Sequence, residues 1–354
     1  MASGWRTWDR KWCRCWTGLP DCPVSQHESA VVVDCAKLSP IVPEDMRSPR
    51  VPNRRSRRPL ALAIAAGLVL VAWVGCHSGS RDAGALTSAG ATHLQMREYE
   101  RAIRDFDRAL ALDPALVAAW RQRALAYRGK GDYERALADL EQAILLAPSD
   151  PRFYTDRGVT YELLGDYSSA IRDFTRAIAF RPNHAPALEA RGRTHFYLGN
   201  FAQAAADLQR GLALDSANAY GTLWLHLARQ RLRQNDHEDF VAHAALVDST
   251  RWPAPVLRYM LGELEADSLR SLAANAQVGG QSQSCVVSFY LGQEALIDGE
   301  APGAVSLFDE TRTTCPRELN EHRAAVAELQ RMGRPPILTV RSESEAQVPA
   351  IPSR

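Results

Sequence analysis

Val117–Asp150, VAAWRQRALAYRGKGDYERALADLEQAILLAPSD, overlays the next stretch, Pro151–His184, PRFYTDRGVTYELLGDYSSAIRDFTRAIAFRPNH, without a gap. A shift of 34 residues also carries each onto its other neighbour, so four consecutive units share one pattern. Ala102, Ala136, Ala170 and Ala204 hold one phase, and Phe106, Leu140, Phe174 and Leu208 follow four residues later. Pro114, Pro148 and Pro182 close their units, with Ser216 in the fourth.

The period reads as two antiparallel helices per unit, each unit able to bury its apolar face only against its neighbours. Trp120, Ala124 and Tyr127 stand at i, i+4 and i+7, as do Tyr154, Gly158 and Tyr161, which makes one apolar helical stripe. The small residue in the middle lets the paired helix come close. Gly131, Gly165 and Gly199 fall where the first helix must end and a left-handed residue is needed. Tyr133, Tyr167 and Phe201 follow two residues on, placed to pack back over the turn. Proline forbids continuation of the second helix, and Asp150 before Pro151 is placed to cap the next one.

In residue types and spacing these units resemble the tetratricopeptide repeat family. The resemblance implies an all-α fold, a tetratricopeptide-repeat right-handed superhelical solenoid, here preceded by a signal or anchor helix. Arg123, Arg157 and Arg191 recur in one slot of the first helix, and Asp105, Asp139, Asp173 and Asp207 in one slot of the second. Each aspartate has an arginine in its own or the next repeat. A pair repeated in every unit belongs to the scaffold, not to a surface specific for one partner.

Ahead of the repeats, the basic run NRRSRR from Asn53 to Arg58 precedes the uncharged segment Leu60–Gly75, followed by Cys76. This is the pattern of an export signal. Its 16 apolar residues would span about 24 Å as a helix, against about 30 Å of bilayer hydrocarbon. Gly75-Cys76 resembles the lipobox of bacterial lipoproteins, in which Cys76 would be lipidated, while Trp73 departs from that motif. Two readings stay open for residues 46–76, a cleaved lipoprotein signal and an uncleaved single N-terminal span. Both place the repeats outside the cytoplasm of a bacterial cell, because the arginines stay inside. Ser56-Arg57-Arg58 is a weak match to a twin-arginine signal.

Residues 1–45 fit neither reading and are expected to be a mis-annotated or disordered extension, since Met46 sits where an ordinary signal peptide begins. They hold Cys13, Cys15, Cys22 and Cys35, whose spacing matches no common zinc module, so no metal site is assigned. Removing residues 1–76, with 11 Lys+Arg and 6 Asp+Glu, from totals of 42 and 41 leaves 31 against 35, a net charge of −4. Nucleic acid is therefore not an expected partner.

Along the chain, residues 77–83 read as a tether and 84–218 as four repeats. The period fades over 219–284, although helical patterning persists through AYGTLWLHLARQRLR, HEDFVAHAALV and PAPVLRYMLGEL. A fifth repeat, 285–318, returns in register: Leu291-Gly292, Ala304, Phe308 and Pro316 take the slots of Arg157-Gly158, Ala170, Phe174 and Pro182. Residues 319–333 form an unpaired helix expected to cap the stack. Residues 334–354 are a polar, proline-bearing tail expected to be disordered. Cys285 and Cys315, the only cysteines after the signal, lie at opposite ends of the fifth hairpin, where antiparallel helices bring them together. A disulfide or two buried thiols would satisfy that placement, and export favours the disulfide.

The second half resembles the bacterial envelope lipoprotein family of new lipoprotein I. The resemblance rests on Trp252-Pro253, Tyr259 with Leu261-Gly262, Phe289-Tyr290-Leu291-Gly292, Gly299, Glu321-His322, Ala324-Ala325 and Glu328-Leu329. With the repeats it covers about residues 84–333. It implies a lipid-anchored adaptor without enzyme activity, often a homodimer, that gathers peptidoglycan hydrolases and a processing protease.

A catalytic site on this scaffold would have to break the repeat logic. His93 and His195 occupy the slot of Tyr127 and Tyr161, where packing accounts for them. His237-Glu238 opens like the zinc-protease motif, but Val241 stands where its second histidine belongs and His243 lies on another face. No phosphate loop or nucleophile elbow is present, and no cofactor is expected. Binding falls to the concave groove, which in the tetratricopeptide family is lined by the first helix of each unit. Placed on that geometry, Arg121, Leu125 and Arg128, then Thr155, Val159 and Glu162, then Glu189, Arg193 and Phe196 line it. Mixed charge with apolar patches suits a protein or peptide segment. The family's carboxylate clamp requires asparagines where Leu125 and Val159 stand, so a free C-terminal carboxylate is not the expected target. The equally plain alternative is a solvated helix face. The leading expectation is a non-catalytic adaptor of the cell envelope. The alternatives are a lipoprotein of secretion, pilus or outer-membrane assembly, and an enzyme with a site in 219–284.

Overall fold

The computed structural model describes residues 82–275 and 280–334. The extension 1–45, the signal segment with Cys76, most of the tether and the tail from 335 onward lie outside the described residues. Among the described residues there are helices and no strands. The array begins with α1 (residues 82–95) and α2 (Tyr99–Leu112). It continues with α3 (Val117–Lys130), α4 (Tyr133–Leu146), α5 (Pro151–Leu164), α6 (Tyr167–Phe180), α7 (Ala185–Tyr197) and α8 (Phe201–Leu212). The irregular part holds α9 (Ala219–Arg231), α10 (His237–Ala244), α11 (Ala254–Met260) and α12 (Ala266–Ala274). Last come α13 (Gly280–Ile297), α14 (Ala301–Thr314) and α15 (Asn320–Arg331).

Each regular unit is a hairpin whose turn is written in three or four residues. Gly131 and Gly165 end α3 and α5 at φ of 86° and 81°. The next N–H in each case, of Asp132 or Asp166, reaches back to the carbonyl of Tyr127 or Tyr161 at 2.9 Å, closing a Schellman loop. The same aspartate then caps the following helix, Asp132 accepting from the Arg135 N–H at 3.3 Å and Asp166 from the Ser169 N–H at 3.0 Å. Asp150 accepts from the Arg152 N–H at 2.9 Å and starts α5, as its position before Pro151 implied. The closing prolines have a second use: the Pro114 and Pro148 carbonyls accept Trp120 Nε1–H and Tyr154 O–H, both at 2.8 Å, which fastens each repeat to the next.

Inside the hairpins, glycine in the first helix faces an aromatic ring in the second. A Cβ built on Gly90, Gly158 or Gly292 would stand 2.6, 2.6 and 2.8 Å from Phe106, Phe174 and Phe308 respectively. Repeat two has Ala124 at this slot and the smaller Leu140 opposite, all four positions of the slot pair in repeats two and three being buried. The recurring ion pair closes within each repeat, not across repeats. Arg123 donates through Nε and Nη2 to Asp139 at 2.8 and 2.7 Å. Arg157 does the same to Asp173, and Arg191 to Asp207, each at 2.7 and 2.8 Å. The two-pronged geometry on a half-buried arginine confirms a scaffold role. Repeat one has Ala89 in the arginine slot, and His93 Nδ1 reaches Asp105 instead at 2.8 Å. His93 is thus held by a charge partner, where packing alone had been expected. In the fifth repeat the slot pair becomes Leu291 and Leu307, an apolar substitute that avoids desolvating two charges.

The irregular segment does not interrupt the core. Trp224 of α9 is fully buried, 5.2 Å from Phe196 of α7 and 5.5 Å from Phe289 of α13 between ring centroids. Phe289 in turn lies 6.1 Å from Phe308 of α14, so one aromatic chain joins repeat four to repeat five. The Trp252–Pro253 peptide is cis. Cys285 and Cys315 are bonded, their Cα atoms 5.3 Å apart at the open end of the fifth hairpin. Helix α15 packs on α13 and α14, as a cap should, but it also crosses to the inner face of α7. Arg331 Nη1 donates to the Tyr197 carbonyl at 2.7 Å, over 134 residues of sequence. Glu328, fully buried on the same helix, accepts from Arg231 of α9 at 2.6 Å. Helix α15 therefore turns back onto the concave wall of the repeats.

Candidate functional site

That return shapes a cleft with two walls. One wall is the groove face of α1, α3, α5 and α7; the other is the Pro316–Asn320 turn and the first turns of α15. The larger cavity, about 870 Å³, has Leu94, Tyr99, Leu125, Val159, Leu163 and Leu319 among its apolar lining and Arg97, Arg128, Arg193 and Arg323 among its charged lining. A second cavity of about 580 Å³ adjoins it between the α5–α6 turn and α14–α15. Glu162, Leu163 and Arg323 line both, so the two share a waist.

Arg323 is held at that waist by its own turn. It donates to the carbonyls of Arg317 and Glu318 at 3.1 and 3.2 Å and to Asn320 Oδ1 at 2.5 Å, leaving Nε without a partner among the described residues. Glu162 is 1% exposed. Its Oε1 accepts from Thr194 at 2.9 Å, and its Oε2 has no partner among the described residues. Deeper in, Glu321 is buried beside Tyr290, and burial pushes its carboxyl above the ordinary range. Burial likewise pushes the His322 imidazole down, which keeps it neutral near pH 7.

Of the nine groove residues read from the sequence, Leu125, Arg128, Val159, Glu162 and Arg193 line the cleft together. Arg121 stands further along α3 and is engaged by Asp156 at 2.5 Å. Thr155 is buried, donating to the Pro151 carbonyl at 2.9 Å and lying 3.1 Å from His184. Glu189 is half-buried against Gly211, its carboxyl raised by burial. Phe196 is wholly buried, packed edge-on against Phe201 and Trp224 at 5.1 and 5.2 Å. The helical slot is correct for Phe196, but the irregular half covers the face that an open repeat array would leave exposed. The opposite wall, with Glu318, Asn320 and Arg323, was not legible. No local pattern marks a helix 130 residues away as the cover of a groove.

The irregular segment holds no comparable polar site among the described residues. Its 440 Å³ cavity is lined mainly by Val241, Ala244, Val247, Ala254, Leu257 and Leu261. The ionisable Arg258 and Glu263 on its rim are exposed and face each other at 3.8 Å. His226 and Asp236 pair at 3.0 Å, with His226 stacked on Phe240, but the cavity beside them is only about 10 Å³. No group of three or more metal-ligating side chains occurs among the described residues, and none of their helices is long and apolar enough to cross a membrane.

Hairpins of this length, ended by left-handed glycine and stacked through proline-closed turns, define a class of helical-repeat solenoids. Within the array, the family model of the tetratricopeptide repeat matches residues 89–150 and again 126–190. Among solved structures, the chain is similar to a tetratricopeptide repeat protein of Parabacteroides merdae, at 15% identity over 69% of this chain and 99% of that one, with a TM-score of 0.46. It is also similar to pilF of Pseudomonas aeruginosa, at 16% identity over 72% and 99% of the two chains, TM-score 0.46. A MamA protein matches at 17% identity over 52% and 96%, TM-score 0.41.

Proposed function

We propose that this protein is a non-catalytic adaptor that holds a segment of a protein partner in the cleft between its inner wall and α15. The observation that carries the reading is the cleft's composition, an apolar floor of Leu125, Val159 and Leu163 between charged rims, open to solvent and large enough for a peptide. Such a surface rewards an extended chain that presents alternating apolar and polar groups. No catalytic step is assigned to any residue.

We place the adaptor in the bacterial envelope, anchored through Cys76 or through residues 46–76. The basic–apolar–cysteine leader supports this, as does the Cys285–Cys315 bond, which oxidising compartments favour. The resemblance of residues 84–333 to the family of new lipoprotein I makes peptidoglycan hydrolases and a processing protease the partner class, and a homodimer the assembly.

Capture of partners from detergent-solubilised membranes tests the reading. Wild-type protein is compared with Leu125→Glu plus Val159→Glu, both matched for helicity and melting temperature. Prey lost from the variant supports the cleft. Prey retained at wild-type level refutes it and moves binding to the convex face.

A further inference from the structure

The cleft has a charge of its own, opposite to that of the chain around it. Beyond Cys76 the chain carries 31 basic against 35 acidic residues. The two joined cavities nevertheless count six arginines, Arg97, Arg128, Arg193, Arg312, Arg317 and Arg323, against Glu162 and Glu318. Two of the six are already engaged by carboxylates: Arg128 lies 3.8 Å from Asp156, and Arg312 is paired with Asp309. Arg97 and Arg317 are exposed on the rims, while Arg193 and Arg323 lie deeper; Glu321 acts on both electrostatically, Glu189 on Arg193 and Glu162 on Arg323, yet the Nε of each has no hydrogen-bond partner among the described residues. Buried donors left unpaired are destabilising, more so when charged, so the cleft is poised to gain from an acceptor. Glu162 points the opposite way. Its Oε2 is buried at the same waist and lacks a donor among the described residues.

We propose that the cleft takes an extended acidic segment of a protein partner, with carboxylates on Arg193, Arg317 and Arg323 and a backbone N–H on Glu162. The proposal rests on the adaptor reading above and names the chemistry of its partner. A simple anion satisfies the arginines but meets the Glu162 carboxylate with like charge. A polypeptide brings donors and acceptors together, and its side chains cover Leu125 and Val159.

The test uses the full chain in detergent and a fluorescein-labelled decapeptide of alternating Glu and Ala, read by anisotropy. A Lys-Ala decapeptide and inorganic polyphosphate of equal charge serve as comparisons. The Glu-Ala peptide is expected to bind, to weaken steeply with salt, and to lose at least ten-fold in affinity in Arg193→Gln plus Arg317→Gln. The Lys-Ala peptide is expected not to bind, and polyphosphate not to displace the probe. If the double variant fails to match the wild-type circular dichroism, Arg317→Glu at its exposed position replaces it, with the same expectation. Equal affinity of wild type and variant, no binding of the Glu-Ala peptide, or displacement by polyphosphate overturns the proposal. Should the peptide fail while Leu125→Glu plus Val159→Glu still loses its prey, only the acidic assignment falls. Prey retained by that variant removes the adaptor reading itself.

Discussion

Replacing Gly158 by alanine would place a methyl group 2.6, 2.8 and 3.0 Å from three carbons of the Phe174 ring, where ordinary contact needs 3.4 Å or more. The ring is fully buried, so it must shift by most of an ångström with nowhere open to go. Overpacking of this kind costs about 1–3 kcal/mol, and the better helix propensity of alanine returns about 1 kcal/mol. The expected net loss is about 0–2 kcal/mol, or up to roughly 8 °C in melting temperature for a domain of this size. The protein contains its own remedy, because repeat two already pairs Ala124 with Leu140 at the equivalent positions. Gly158→Ala combined with Phe174→Leu should therefore be more stable than the sum of the single changes, by at least about 1 kcal/mol in a double-mutant cycle. Urea unfolding followed by circular dichroism measures all four corners. Additivity within about 0.5 kcal/mol would show that hairpin closeness is not set by this contact, and the account of why glycine recurs here would fail.

Three further outcomes are expected. Arg157→Ala, which strands the buried Asp173, should destabilise by about 3 kcal/mol, whereas Arg157→Leu plus Asp173→Leu, the arrangement of the fifth repeat, should cost much less; thermal melts decide between them. Reducing the Cys285–Cys315 bond opens a loop of 30 residues and should cost about 3.5 kcal/mol, read as a lower urea midpoint with dithiothreitol than without. Burial raises the Glu321 carboxyl above its unfolded value, so the stability it contributes is present at acid pH and lost as pH rises through the raised value. Glu321→Gln should flatten that part of the stability profile and melt higher than wild type at pH 8; an unchanged profile would mean that this carboxyl does not titrate where its burial places it.

The repeat was legible because its determinants are local and recur. Gly131 and Gly165 end helices through their own backbone freedom, Asp132 and Asp166 cap the next helix three residues on, and the Arg–Asp pair closes over 16 residues within one hairpin. Cys285 and Cys315 were placed by the same logic, since the antiparallel helices of a hairpin bring together residues that lie at similar distances from its turn. The groove was legible only in part. Leu125, Val159 and Arg193 line the cleft as their helical slots require, but Phe196 shares that phase and lies in the core.

The difference lies in what surrounds each slot. Periodicity tells which residues of a helix point inward along the solenoid, and that much the sequence by itself determined, together with the caps, the turns and the nearness of Cys285 to Cys315, whose bonding it left open. Where the array curls back is decided by small rotations summed over several repeats and by contacts such as Arg331 to Tyr197 and Arg231 to Glu328, which join residues about a hundred positions apart. Only the tertiary structure set α15 opposite α5 and α7, and so decided which arginines face one another across a cleft and which of their polar atoms are left for a partner.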